Sequence, residues 1–167
     1  MKRIVERLRG SVPMSGFVTE EVREGARRSG FRGVTVDGRM FTLARAGAAG
    51  DVRVGPYGVI TAELDAVGVP TLEPGEGISL VVLDEVGKME SFSQPFRHAV
   101  EALLASDVPV LATVASHGVG FPKKVRNDPR VTLVRMRREA RDGMVGELLR
   151  RLAEVGIAAA KPGAEAR

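Results

Sequence analysis

The sequence predicts an α/β fold in which crossover helices connect a parallel sheet and an early β-hairpin precedes it. Two continuous aliphatic runs, residues 78–84 and 108–116, are typical of strands that are covered on both faces. The amphipathic segment 94–106 lies between them and predicts the connecting helix. Strands that alternate with helices in this way indicate a parallel sheet. Nearer the N-terminus, Asp37-Gly38 stands between two apolar segments and is a strong hairpin signal.

The first half of the chain predicts the end of a helix and then antiparallel strands. The segment "KRIVERLRG" has apolar residues at helical spacing and closes with a glycine, which predicts the last turns of a helix. Residues 16–24 and 30–44 predict strands, and the second range folds back at the Asp-Gly turn. Residues 45–58 are a glycine-rich loop, and residues 59–68 predict a short helix.

The second half of the chain predicts one further strand and one further helix. The segment "RVTLVRM", residues 130–136, predicts a third strand of the parallel sheet. Residues 138–156 predict a long helix, and the small polar residues 157–167 predict a disordered tail. We therefore expect a single domain over residues 1–156.

The composition excludes several classes of protein. Because there is no cysteine, disulfides, thiol catalysis and thiolate metal sites are excluded. His98 and His117 are the only histidines, too few for a histidine metal cluster. No apolar run approaches the roughly 20 residues of a membrane span. The N-terminal sequence also has no apolar core of a secretory signal, so we expect a cytoplasmic protein without a membrane partner.

The net charge of +4 is distributed unevenly along the chain. Residues 1–45 carry 10 basic and 5 acidic side chains, residues 46–120 carry 3 and 10, and residues 121–167 carry 12 and 6. The basic flanks either gather phosphates around an acidic centre or are solvated arginine-rich helices. No aromatic residues interleave the basic ones, so nucleic acid is not predicted as a partner.

Two adjacent carboxylates end the buried run at residues 78–84. Ligands of open α/β sheets bind outside the carboxyl ends of the strands, where Asp84 and Glu85 are expected to lie. An aspartate there is suited to Mg²⁺ and a neighbouring glutamate to activation of water, and Lys88 is close enough to offset phosphate charge. The alternative is a helix N-cap, which contributes about 0.5–2 kcal/mol.

The wider sequence resembles the nucleoside-triphosphate phosphatase family known from thermophiles, whose animal branch is called cancer-related nucleoside-triphosphatase. The segments "GFVTEEVRE" and "LDEVGKMESFS" carry the resemblance most specifically, and it extends over roughly residues 2–152. The resemblance implies a three-layer RecA-like P-loop NTPase fold of the additional-glutamate class. It also implies Mg²⁺-dependent hydrolysis of ATP, GTP or other nucleoside triphosphates to diphosphate and phosphate, with a loose base preference.

The resemblance also implies roles for individual residues. Asp84 corresponds to the Walker B aspartate that binds the metal, Glu85 to the catalytic base, and Lys88 to the lysine of the same segment. Arg141-Asp142 falls on an Asn-Arg-Asp motif that lies near the nucleotide base, although Ala140 stands at the asparagine position. Arg141 is therefore either an internal arginine finger or a surface residue of a helix.

No segment of the sequence matches the Walker A pattern Gly-x-x-x-x-Gly-Lys-[Ser/Thr]. In the only Gly-Lys pair, Gly87-Lys88, valine stands five residues before the glycine and Met89 follows the lysine. Compared with the family, we expect the first strand and the P-loop to be missing, so that the strands at 78–84 and 108–115 lose a neighbour. An upstream start, an inactive relic or interaction module, and a strand supplied by a partner or second copy all stay open.

Overall fold

The computed structural model describes residues 1–49, 52–136 and 141–158. The strands are β1 (Met14–Glu24), β2 (Arg27–Thr35), β3 (Met40–Ala46), β4 (Arg53–Val54), β5 (Tyr57–Val59), β6 (Leu80–Val86) and β7 (Val110–Val114). The helices are α1 (Lys2–Leu8), α2 (Thr61–Glu63), α3 (Gln94–Ala105), α4 (Phe121–Arg126) and α5 (Arg141–Glu154).

One curved sheet contains all seven of these strands, in the order β4-β5-β3-β2-β1-β6-β7. The strands β1, β6 and β7 run parallel, and the remaining pairs are antiparallel. The predicted hairpin is confirmed: Gly38 adopts φ 92° and its N–H donates to the Thr35 carbonyl at 2.9 Å. Glycine fits this turn because it has no Cβ, whereas residues with a side chain disfavour positive φ.

Helices cover both faces of β6, as predicted, whereas β7, predicted at 108–116 as a second strand covered on both faces, is only partly buried. Leu80 and Val82 of β6 pack with α1 and α5, whereas Val81 and Leu83 pack with α3 on the opposite face. This alternation follows from the two-residue period of a strand. All four side chains are almost fully buried, and burial of each contributes about 1.5–3 kcal/mol. The continuous apolar run therefore identifies β6 as a central strand.

The region predicted as a loop and a short helix contains more regular structure than expected. Residues 45–58 include β4 and β5, which the sequence analysis missed because strands of two and three residues show no alternation. The predicted helix at 59–68 is confirmed from Thr61 onwards and continues beyond it, first as the π-helix Leu64–Gly68 and then as the 3₁₀-helix Val69–Leu72.

The predicted third strand at 130–136 is wrong, since residues 131–136 form no strand. A strand requires a neighbour whose backbone groups it can pair with. Here β7 and residues 130–136 both line an open groove of about 1820 Å³, and none of the described strands pairs with this segment. Leu133 and Met136 stay 51% and 56% exposed. The β-branched composition of the segment is therefore not sufficient to make it a strand.

The strands at the centre of the sheet keep more neighbours than the sequence analysis expected. The expectation that the strand at 78–84 lacks a neighbour is wrong, because β6 pairs with β1 on one side and β7 on the other. The early strand β1 pairs in parallel with β6. The pairing extends from Met14 opposite Leu80 to Phe17 opposite Leu83. Within the described residues, β7 ends the sheet on this side.

The C-terminal helix predicted at 138–156 is observed as α5, and its predicted first residues, 138–140, lie outside the described residues. Ile157, placed in the tail by sequence, is buried in the same cluster as α1. Residues 159–167 of the predicted tail also lie outside the described part of the chain.

Candidate active site at the carboxyl end of β6

The two carboxylates predicted from sequence lie at the carboxyl end of β6. Asp84 and Glu85 are both half-buried, directly after four fully buried aliphatic residues, and the peptide bond between them is cis. Because β1, β6 and β7 are parallel, their carboxyl ends meet at this edge of the sheet. Both carboxylates line the groove beside β7. The two carboxylates therefore lie where the sequence predicts them, at the carboxyl end of a buried strand.

Thr113 of the neighbouring strand β7 holds the Asp84 carboxylate. Its hydroxyl donates a hydrogen bond to Asp84 Oδ1. The second oxygen of Asp84 has no hydrogen bond to another described residue, which leaves it available to a ligand. Sequence reasoning missed Thr113, although a polar residue interrupting the aliphatic run of a parallel strand was a signal for it.

A third carboxylate, Glu90, lies close to Glu85. If Gly87 had a Cβ, this atom would lie 2.5 Å from Glu85 Oε1 and 2.7 Å from Glu90 Oε2. Both carboxyl groups therefore pack on the bare backbone of one glycine. Burial raises the pKa of Glu85, and the nearby charge of Asp84 raises it further. Burial also raises the pKa of Glu90, to about 8, and Glu90 is only 3% exposed. Sequence gave no sign of this burial.

Comparison with known proteins identifies the family of this chain. The model of the family NTPase_1, described as "NTPase", matches residues 1–149 of the 167.

The chain belongs to the NTPase_1 family.

Relatives and solved structures agree with the membership in NTPase_1. The nucleoside-triphosphatase THEP1 of Thermotoga maritima is 37% identical over 135 residues, which are 80% of this chain and 78% of that protein. The human cancer-related nucleoside-triphosphatase is 33% identical over 152 residues, 83% of this chain and 80% of that protein. The crystal structure of THEP1 from Aquifex aeolicus superposes with a TM-score of 0.81 at 33% identity, covering 90% of this chain and 89% of that one. The predicted family resemblance is confirmed.

The other residues assigned by resemblance to NTPase_1 differ in how far the structure describes them. Lys88 is exposed and forms no hydrogen bond or ion pair with another described residue. Arg141 and Asp142 begin α5, but their side chains lie outside the described residues, as does Ala140 altogether. The roles of Lys88, Arg141 and Asp142 stay predictions.

The carboxylate oxygens of this NTPase_1 site suit a hard cation that is also coordinated by a bound ligand. In the described residues, no group of three or more His, Cys, Asp or Glu side chains surrounds a potential metal position. Mg²⁺ does not need such a cage, because it commonly takes one or two carboxylates together with substrate phosphates and waters. Asp84, with one oxygen held by Thr113, is oriented for such a role.

The described helices of this NTPase_1 chain include none that is long and apolar enough to cross a membrane. This finding concerns only the residues that the structure describes.

Glu90→Gln is expected to remove a pH-dependent loss of stability. The pKa of Glu90 is about 8 in the folded state, against 4.5 ordinarily. Between these values the unfolded chain releases the proton and the folded chain keeps it, so the free energy of unfolding falls as pH rises, by about 1.4 kcal/mol per unit. Glutamine mimics the protonated carboxyl and should be more stable than wild type at pH 8, but not at pH 4.5. Urea unfolding across this range measures the difference.

The control for this prediction is Glu101→Gln, since Glu101 is an exposed partner of Lys124. Its substitution should not reproduce the gain at pH 8. Parallel stability curves for wild type and Glu90→Gln between pH 4.5 and 8 would contradict the assignment of a buried, protonated Glu90.

Proposed function

We propose that this chain hydrolyses nucleoside triphosphates to diphosphate and phosphate, with Mg²⁺ and with loose base preference. The observation that carries the proposal is the pair Asp84 and Glu85 at the carboxyl end of a buried parallel strand, with Asp84 held by Thr113. The names of the NTPase_1 relatives support the reaction class. ATP, GTP and other nucleoside triphosphates are the proposed substrates, and a cytoplasmic location is proposed with them.

In the proposed reaction, Glu85 acts as the general base. Its carboxylate accepts a proton from a water whose oxygen attacks the γ-phosphorus, and the bond from that phosphorus to the β–γ bridging oxygen breaks. The products are inorganic phosphate and nucleoside diphosphate. The burial of Glu85 suits this role, because a raised pKa makes a carboxylate a stronger base near neutral pH.

The remaining assignments concern charge and binding. Asp84 would hold the Mg²⁺, which when bound neutralises phosphate charge. Lys88 and Arg141 are proposed to offset charge that develops on the transferred group, and Asp142 is proposed to contact the nucleotide. An arginine in such a position accelerates phosphoryl transfer by about 10³–10⁵. These three roles rest on the family motif alone.

We also propose that the phosphate-binding loop is not built from these 167 residues. The pattern Gly-x-x-x-x-Gly-Lys-[Ser/Thr] does not occur among them. The geometry around the only Gly-Lys pair supports this, because Gly87 packs against the carboxyl groups of Glu85 and Glu90. The Glu85 carboxylate repels phosphate and the Glu90 carboxyl occupies the space beside Gly87, so this glycine is unsuited to a phosphate cradle.

The test is release of phosphate from ATP, GTP, CTP and UTP. Residues 1–167 are compared with a fusion protein in which a strand and a Gly-x-x-x-x-Gly-Lys-Thr loop of the family type precede Met1. We expect the fusion protein to hydrolyse all four nucleotides with Mg²⁺ and none with EDTA. Residues 1–167 alone should be slower by about 10² or more, since they lack the donors that stabilise the phosphoryl charge.

The matched variant is Asp84→Asn in the fusion protein, which keeps the size of the side chain and removes its charge. It should weaken activation by Mg²⁺, seen as a higher Mg²⁺ concentration for half-maximal rate. A folded fusion protein without hydrolysis would favour the alternative, a non-catalytic interaction module. Equal rates with and without the added loop would contradict the proposal about the cradle.

A further inference from the structure

The turn between β6 and α3 places a buried carboxyl next to the proposed catalytic base. After β6 ends at Val86, the chain passes through Gly87 and enters the short 3₁₀-helix Glu90–Phe92. Glu90 is 3% exposed, whereas most glutamates lie at the surface. A buried carboxyl without a structural or chemical role would be a costly residue to place here.

Several hydrogen bonds fix the backbone of this turn. The Ser91 N–H donates to the Gly87 carbonyl at 3.3 Å, and the Ser91 hydroxyl donates to the same oxygen. The Ser93 N–H donates to the Glu90 carbonyl at 3.0 Å. Arg97 Nη1 donates to the Ser91 carbonyl at 2.5 Å and joins the turn to α3.

The side chain of Glu90 folds back into this turn. The N–H groups of Gly87 and of Glu90 itself donate to its carboxyl, and these bonds partly oppose the effect of burial on its pKa. The carboxyl of Glu85 packs on the same side of Gly87. Glu90 therefore holds the backbone of Gly87 and forms one wall of the space in which the Glu85 carboxyl lies.

We propose that Glu90 is a positioning residue for Glu85: packed with it over the bare backbone of Gly87, Glu90 fixes the direction of the Glu85 carboxyl toward the attacking water. This inference rests on the proposed function. No proton or bond is exchanged with Glu90 in the reaction. A proton on Glu90 at neutral pH keeps this wall neutral, so that it does not repel the Glu85 carboxylate.

Substitutions at position 90 separate the shape of the side chain from the chemistry of its carboxyl group. Glu90→Ala removes the wall and should lower kcat about 10- to 100-fold, because a base displaced by about 1 Å loses alignment with the water. KM should change less than about threefold, since binding of the nucleotide does not involve Glu90. Glu90→Gln keeps the shape and the neutral hydrogen-bonding groups and should restore kcat to within about threefold of wild type. The assay uses the form of the protein that hydrolyses nucleotides in the test above.

Gly87→Ala provides a second, independent variant. Its new Cβ would meet Glu85 Oε1 and Glu90 Oε2 and push the two carboxyl groups aside, while the glycine does not adopt positive φ. We expect the same fall in kcat with little change in KM. Leu72→Ala is the control for lost stability alone: it removes buried volume from the core cluster that contains Val86 of β6, and should lower the melting temperature but not kcat.

The outcomes separate this inference from the proposed function. Absence of hydrolysis in the folded fusion protein would remove the proposed function itself. An active wild type with an unchanged kcat in Glu90→Ala would overturn only the positioning role. A Glu90→Gln variant as slow as Glu90→Ala would also overturn it, since that result requires the carboxyl itself and not its shape. If Glu90→Ala raised KM as strongly as it lowered kcat, Glu90 would be assigned to substrate binding instead.

Discussion

Glu85→Gln is expected to lower kcat for nucleoside triphosphates about 10²- to 10⁴-fold, the usual contribution of a general base. Glutamine has the size of glutamate but does not accept the proton of the attacking water. The half-buried position of Glu85 excludes part of the bulk solvent that would otherwise replace the lost base. A large fall in kcat is therefore expected from this substitution.

The measurement is steady-state phosphate release by the form of the protein that is active in the test above. KM for the Mg²⁺–nucleotide should stay within about threefold, because the substitution removes a group that acts in the transition state. Glu101→Gln is the matched control, as the same chemical change on the exposed face of α3 should leave both constants unchanged. If Glu85→Gln retained a kcat close to that of wild type, Glu85 would not be the base.

Gly16→Ala is expected to abolish folding or to lower the free energy of unfolding by at least about 4 kcal/mol, at the upper end for single substitutions. Gly16 of β1 adopts φ 102° and lies opposite Val82 of β6. A Cβ there would lie 1.9 Å from the Val82 carbonyl oxygen, a backbone atom that cannot turn aside. Relief of the clash would separate β1 from β6 at the centre of the sheet.

Gly25→Ala separates the effect of the clash from the effect of the backbone angle. Gly25 has φ 59° at the β1–β2 turn, and its Cβ would meet nothing within 4 Å. Alanine there should cost only about 1 kcal/mol, from the strain of positive φ. Urea unfolding followed by circular dichroism compares the two variants. Equal losses of stability at both positions would show that contact with Val82 is not the cause.

The parts of the fold that could be predicted from sequence are those in which local pattern and tertiary packing agree. The run at 78–84 is aliphatic because both faces of β6 are covered, and the Asp37-Gly38 pair suits the turn that it forms. The segment 130–136 has an equally favourable composition but pairs with none of the strands that the structure describes. Pairing partners are a property of the whole sheet, and composition does not contain them.

The candidate site could be predicted to a similar extent. Asp84 and Glu85 were found because two acids at the end of an aliphatic run are conspicuous. Thr113 and Glu90 were not, since their importance comes from contacts across β6–β7 and within the turn that leads to α3. A buried glutamate and an exposed one look the same in a sequence, and only packing distinguishes them.

The open side of β7 has a practical consequence for handling the protein. The amide and carbonyl groups along this rim of the described sheet offer a template onto which a strand from another molecule can add. The groove beside β7 is also lined by the exposed apolar side chains of Leu133, Met136 and Val155. Aggregation of residues 1–167 should therefore increase with protein concentration. Storage of dilute protein with added arginine is the corresponding precaution.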